Sequence, residues 1–212
     1  MSSETKIILE ACVETYQQAI SAEANGASRI ELCNRLDLGG ITPPFDLVIQ
    51  LLIALKIPIM AMVRPRGGDF VYTEEEFAQM KQEIQQLKEL GCQGVVFGLL
   101  TPGVEIDIDR TRQLVELARP LQVTFHKAFD DCQDLSKALT DLKETGADRL
   151  LTSGGKLTAH EAVPVLNRLL KEAQGNPKLI VAGRVTHENI NDLRKLIPEA
   201  SEFHGRKIVQ GI

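Results

Sequence analysis

Several broad classes are excluded by what the chain lacks. Its 212 residues contain no long Lys/Arg run, and the formal net charge is -5. A general binder of the phosphate backbone needs a basic face, so nucleic acid is not an expected partner. Cysteine is sparse, with only Cys12, Cys33, Cys92 and Cys132. Four are too few to staple a chain of this length, and the absence of CxxC spacing rules out a zinc finger. Reduced thiols are the expectation. The N-terminal apolar run is short, lacks a basic leader and is interrupted by Glu10. It reads as neither signal peptide nor membrane span, so a cytoplasmic location is expected. No low-complexity linker divides the sequence, and no strict phosphate-loop or dinucleotide fingerprint occurs.

What is present is a regular alternation. The hydrophobic content of 43% can build a full core, and one domain over 1-212 is the simplest division. Eight β-rich runs, IILEAC, RIELC, IPIMAMV, GVVFG, QVTFH, RLLTS, KLIVAGR and EFHGRK, begin at residues 7, 29, 57, 94, 122, 149, 178 and 202. Helical patterns separate them. Thr73 with Glu76 forms a capping box ahead of Phe77, Met80, Ile84 and Leu87, and Gly91 supplies a stop. Thr158 with Glu161 repeats the box, Asp134 can cap Leu135 to Leu142, and Pro164 makes the next helix start late or kink. NGASRIELC, LGCQGVVFG and TGADRLLTS each run from a helix-ending glycine into a strand. The repeated unit is helix, glycine, strand, so the predicted fold is α/β, a single (β/α)₈ TIM-type barrel. Only Ile208 to Ile212 follow the eighth run, which leaves the closing C-terminal helix short or absent. The exposed outer face is expected to be covered by another subunit, giving a homo-oligomer, most simply a dimer.

The polar residues of the strands carry the chemistry. Glu10-Ala11-Cys12 and Glu31-Leu32-Cys33 close the first two runs, and residues two apart in a strand share a face. Strand parity continues the inward set with Arg64, Arg66, Thr124, His126, Ser153 and His204. At the C-terminal rim of a barrel such residues form active sites. A buried charge is costly unless paired, so Glu10 and Glu31 are expected to meet Arg64, Arg66 or a histidine. In VRPRGGDF, Arg64 and Arg66 share a face and Gly67-Gly68 permits close approach of an anion. Ser153-Gly154-Gly155 and His204-Gly205 add turns suited to carboxylate or phosphate. His126 ends a strand and can act as general acid or base. Cys12 and Cys33, at adjacent strand ends, offer two soft thiolates suited to Cu(I). The alternatives are ion pairs that plug the barrel mouth and cysteines that only pack.

The motifs EAC, NGASRIELC, LGGITPPF, VRPRGGDFVYTEEEF, VTFHKAFD and GADRLLTSGGK together resemble the CutC family of copper homeostasis proteins. The resemblance covers most of the chain. It implies a (β/α)₈ barrel, a cytoplasmic location and a role in copper tolerance, with Cys12 and Cys33 at the family's proposed copper-binding positions. Lys127 stands where Arg is expected, AGRVTHEN replaces a more glycine-rich turn, and few residues follow HGRK. Two functions are therefore carried forward. One is Cu(I) binding through Cys12 and Cys33. The other is an enzyme acting on a small anionic metabolite, with Glu10, Glu31 and His126 catalytic and Arg64, Arg66, Ser153, Gly154, Gly155 and His204 binding the anion.

Overall fold

Each of the eight β-rich runs forms a strand: β1 Ile8–Val13, β2 Arg29–Leu32, β3 Ile59–Met62, β4 Gly94–Phe97, β5 Gln122–Phe125, β6 Arg149–Thr152, β7 Lys178–Val181 and β8 Glu202–Gly205. The structure, a computed structural model, describes residues 6–212; residues 1–5 of the single-domain reading lie outside the described residues. All neighbours pair in parallel, and β8 returns to β1, which closes the barrel. The connections carry α1 Tyr16–Ala24, α2 Phe45–Ala54, α3 Glu74–Leu90, α4 Ile108–Ala118, α5 Leu135–Lys143, α6 Val163–Ala173 and α7 Ile190–Leu196. Among the described residues, no helix is long and apolar enough to cross a membrane.

Alternation along the strands divides the interior in two. Ile59, Ala61 and Val63, with Leu150, Val181 and Phe203, pack outward in the large core beneath the helices. Met60 and Met62 lie with Cys12 and Cys33 in a separate buried cluster, and Leu151, Ile180 and Ala182 form another. The period of two thus sends every second residue into the barrel.

The local start and stop signals act as their chemistry requires. Thr73 and Glu76 close a capping box on α3, and Gly91 ends it at φ +89°. Asp134 accepts from the Ser136 and Lys137 amides, each at 3.0 Å, to start α5. The Thr158–Glu161 box also closes, but it caps only a turn. The helix starts late, at Val163, with Pro164 in its first turn, where a missing N–H loses no helical bond.

No helix follows β8 among the described residues. Phe203, the outward residue of β8, is nevertheless fully buried, and Ile208 and Val209 join the same core. Ser21 of α1 donates to the Gly211 carbonyl at 2.8 Å. The chain's own tail therefore contributes to the cover of β8.

Candidate functional site

Register decides which charges meet inside the barrel. Glu10 lies beside Arg29 on one flank and beside His204 on the other. Its Oε2 accepts from Arg29 Nε, and its Oε1 lies 2.9 Å from His204 Nδ1. Arg29 continues to Glu202 at 2.5 Å, and Arg149 approaches the same carboxylate at 3.5 Å. Arg64 and Arg66, the expected partners of Glu10 and Glu31, lie beyond the last residue of β3 and make none of these pairs. Burial opposes the Glu10 charge, but Arg29 and His204 outweigh it and hold the carboxyl at about 2. A carboxylate so held is a poor general base near neutrality.

Above this layer a cavity of about 610 Å³ opens at the C-terminal rim. Cys12, Glu31, Met62, Arg64, His126 and His204 line it; Glu10 does not. Although burial disfavours the His204 cation, Glu31, Cys12 and Glu10 raise its pKa well above the ordinary value. His204 Nε2 lies 3.7 Å from Glu31 Oε2. Burial dominates at Glu31 and pushes its carboxyl well above the usual range, leaving Oε1 with no hydrogen-bond partner. The thiols are tightly linked: their mutual interaction draws the Cys12 thiol well below its ordinary value and pushes Cys33 well above it. Glu31, Cys12 and His204 therefore form a compact set in which protons can be held at defined atoms.

Four sequence-derived assignments take other positions. Arg66 leaves the barrel, because strand parity no longer governs a side chain beyond Met62. It pairs with Glu76 at 2.6 Å and Asp69 at 3.0 Å, stacks over Tyr72 and does not line the cavity. The turn after β6 is also occupied from within. Asp130 accepts from the Ser153 amide and hydroxyl and from the Gly155 amide, while the Gly154 amide donates to Thr152. Ser153 and Gly155 thus have a protein carboxylate, and Gly154 a protein hydroxyl, where an external anion was expected.

His126 reaches the cavity in a form unsuited to acid-base work. Its Nδ1 accepts from the Ala128 amide at 3.2 Å, which leaves the proton on Nε2. Burial, with Arg64 beside it, lowers its pKa to about 3. The ring is a neutral donor near neutrality.

Sequence reasoning missed Arg29, Arg149 and Glu202. The signal was available, since each lies on the inward parity of its strand, two residues before Glu31, Leu151 and His204. Asp130 was visible only as part of FHKAFD, with nothing local to tie it to the turn after β6.

The family model described as the CutC family matches residues 7–208. The chain belongs to the CutC family. A CutC family protein of Histophilus somni is 41% identical over 196 residues, 92% of this chain and 80% of that protein. The human copper homeostasis protein cutC homolog is 40% identical over 197 residues, 93% of this chain and 72% of the human protein. The crystal structure of a copper homeostasis protein CutC from Streptococcus agalactiae superposes with a TM-score of 0.89 at 30% identity, covering 96% of this chain and all of that one.

In this CutC chain the residues that could hold a metal are grouped at β1 and β2. The sulfurs of Cys12 and Cys33 and a carboxylate oxygen of Glu31 lie within 4.8 Å of one another. Glu31 retains an unpartnered buried oxygen, and Met60 and Met62 pack in the same buried cluster as the cysteines. Two thiols are soft donors that suit a soft monovalent ion better than a hard divalent one. A second group, Glu10, Glu31 and His204, also lies within 4.8 Å. Its imidazole is engaged by both carboxylates, which leaves it less open to a metal.

Proposed function

We propose that this chain is a copper homeostasis protein that binds Cu(I) through Cys12 and Cys33. The observation that carries this reading is the convergence of both sulfurs and the Glu31 carboxylate within 4.8 Å, on adjacent strand ends, beside Met60 and Met62. Cu(I) prefers thiolate and thioether sulfur over oxygen and imidazole. The human and Streptococcus agalactiae relatives carry copper homeostasis in their names. Cys12 lines the cavity and is the point of entry; Cys33 lies behind it, almost fully buried.

Binding at both sulfurs requires that Cys33 give up its proton. Glu31 Oε2 lies 3.5 Å from Cys33 Sγ, but its carboxyl is raised by burial and already holds a proton, so the Cys33 proton leaves for solvent. The site therefore couples metal uptake to proton release.

Titration of the full chain with Cu(I) under reducing conditions, against a colorimetric Cu(I) chelator, tests the assignment. The native protein is expected to withdraw one Cu(I) per chain, and the double variant Cys12→Ser, Cys33→Ser to withdraw none. Equal uptake by the two proteins removes the cysteine site.

A further inference from the structure

Arg64 and His126 line the same cavity, are 5% and 4% exposed, and each lacks the partner its chemistry calls for. Among the described residues, the hydrogen-bond acceptors of the Arg64 guanidinium are all carbonyl oxygens. Nη1 donates to Leu38 and Gly40 at 3.3 and 3.1 Å, Nη2 donates to Gly68 at 2.7 Å, and Nε–H donates to nothing. Arg66, two residues on, has two carboxylates; among the described residues Arg64 pairs with none. A buried guanidinium is costly unless an anion meets it. On His126, the Nε2–H is likewise without an acceptor.

Both groups are rigidly held. Phe70 packs against the His126 ring with centroids 4.9 Å apart, and the Arg64 guanidinium lies 4.6 Å over the same Phe70 ring. Gly98 leaves room for the imidazole that a Cβ would take. Preorganised donors of this kind bind an anion without first having to be ordered. The rest of the cavity agrees in sign: Lys127, Arg184, Arg206 and Lys207 line it with Arg64, and among the described residues Glu31 is its one carboxylate. On a chain of net charge -5, this is a local reversal that draws anions inward.

We propose that the cavity binds a small anionic ligand through a carboxylate or phosphate group, with Arg64 supplying the charge and the neutral His126 Nε2–H a second hydrogen bond. The volume of about 610 Å³ admits a small metabolite. The site is distinct in chemistry from the thiol cluster and does not require copper.

The test uses the full chain without copper, titrated separately with inorganic phosphate and with malonate. Calorimetry measures affinity, and ¹⁵N and ¹H resonances of the His126 ring report the contact. At least one anion is expected to bind saturably and to shift the Nε2–H signal while the ring stays neutral; preference for malonate indicates a carboxylate ligand, and preference for phosphate a phosphorylated one. Losing a hydrogen bond to a charged group weakens binding roughly ten- to a hundredfold, the expected effect of Arg64→Lys. His126→Leu is expected to weaken it roughly tenfold, and His126→Gln, whose amide N–H replaces Nε2–H, to restore most of the loss. Failure of both anions to bind overturns the proposal. So does unchanged affinity in folded Arg64→Lys and His126→Leu proteins, or saturable binding that leaves the His126 ring signals unmoved. Should a variant not fold, the response of the His126 signals in the native protein decides alone.

Discussion

Asp130 accepts from both the backbone amide and the hydroxyl of Ser153, at 2.9 and 2.8 Å. One carboxylate thereby ties the 3₁₀ turn after β5 to the glycine-rich turn after β6, and it also takes the Thr152 hydroxyl and the Gly155 amide. The cradle that the sequence offers to an external anion is filled by the chain itself.

Replacing Asp130 by Ala should therefore act on stability. It strands several donors in a partly buried turn, and such losses cost about 2–3 kcal/mol. Denaturant unfolding is expected to show a lower midpoint with an unchanged slope. An unaltered midpoint would mean that water replaces the carboxylate without loss.

Arg29 neutralises Glu10 and Glu202 inside the barrel, at 5% exposure. Arg29→Ala removes the cation these two buried carboxylates share, leaving Glu10 only His204 and Glu202 only Arg149, a loss of about 3–5 kcal/mol. Thermal unfolding should fall accordingly, with Arg29→Lys intermediate because one ammonium cannot reproduce the fork.

The pH dependence of Glu10 has a definite sign. Its folded pKa of about 2 lies below the ordinary 4.5. A depressed folded value stabilises the protein above the unfolded pKa, and that contribution is lost as pH falls through the folded one. The stability advantage of the native protein over Glu10→Gln should be full above about 4.5 and decline toward about 2. A constant difference across that window would show that Glu10 is no more acidic folded than unfolded.

Thiol reactivity should rank the four cysteines. Cys12 lines the cavity and is drawn toward the thiolate by its interaction with Cys33, whereas burial pushes Cys92 up to about 12 and Cys132 to about 11. Thiolate is the reactive form. Brief treatment with iodoacetamide, followed by peptide mass mapping, is expected to label Cys12 first, and prior loading with Cu(I) to suppress that label.

Gly98→Ala probes how His126 is held. A Cβ there would run into the imidazole Nδ1, so the ring must move or the strand end must shift. Overpacking of this kind costs about 1–3 kcal/mol. A changed His126 tautomer signal with the fold retained is the expected result.

The eight strands, the caps at Thr73 and Asp134 and the late start forced by Pro164 were legible in the sequence. Each depends on residues within one turn or one strand of one another, where periodicity and capping chemistry act directly. The inward facing of Glu10, Cys12, Glu31, Cys33 and His204 was legible too, because parity fixes a strand residue's face, although Glu10 lies a layer below the rim cavity. Parity lapses where the strand ends. Arg64 and Arg66 look equivalent in VRPRGGDF, yet only the loop fold sends Arg64 to the carbonyls of Leu38, Gly40 and Gly68 and Arg66 to Glu76. Register between strands, which no single segment encodes, paired Glu10 with Arg29 across the barrel wall. The sequence alone thus determined the architecture and the rim that holds the site. Tertiary structure alone decided which charges cancel, which turn is already filled and which donors remain free, because those outcomes depend on the distances between segments far apart in the chain.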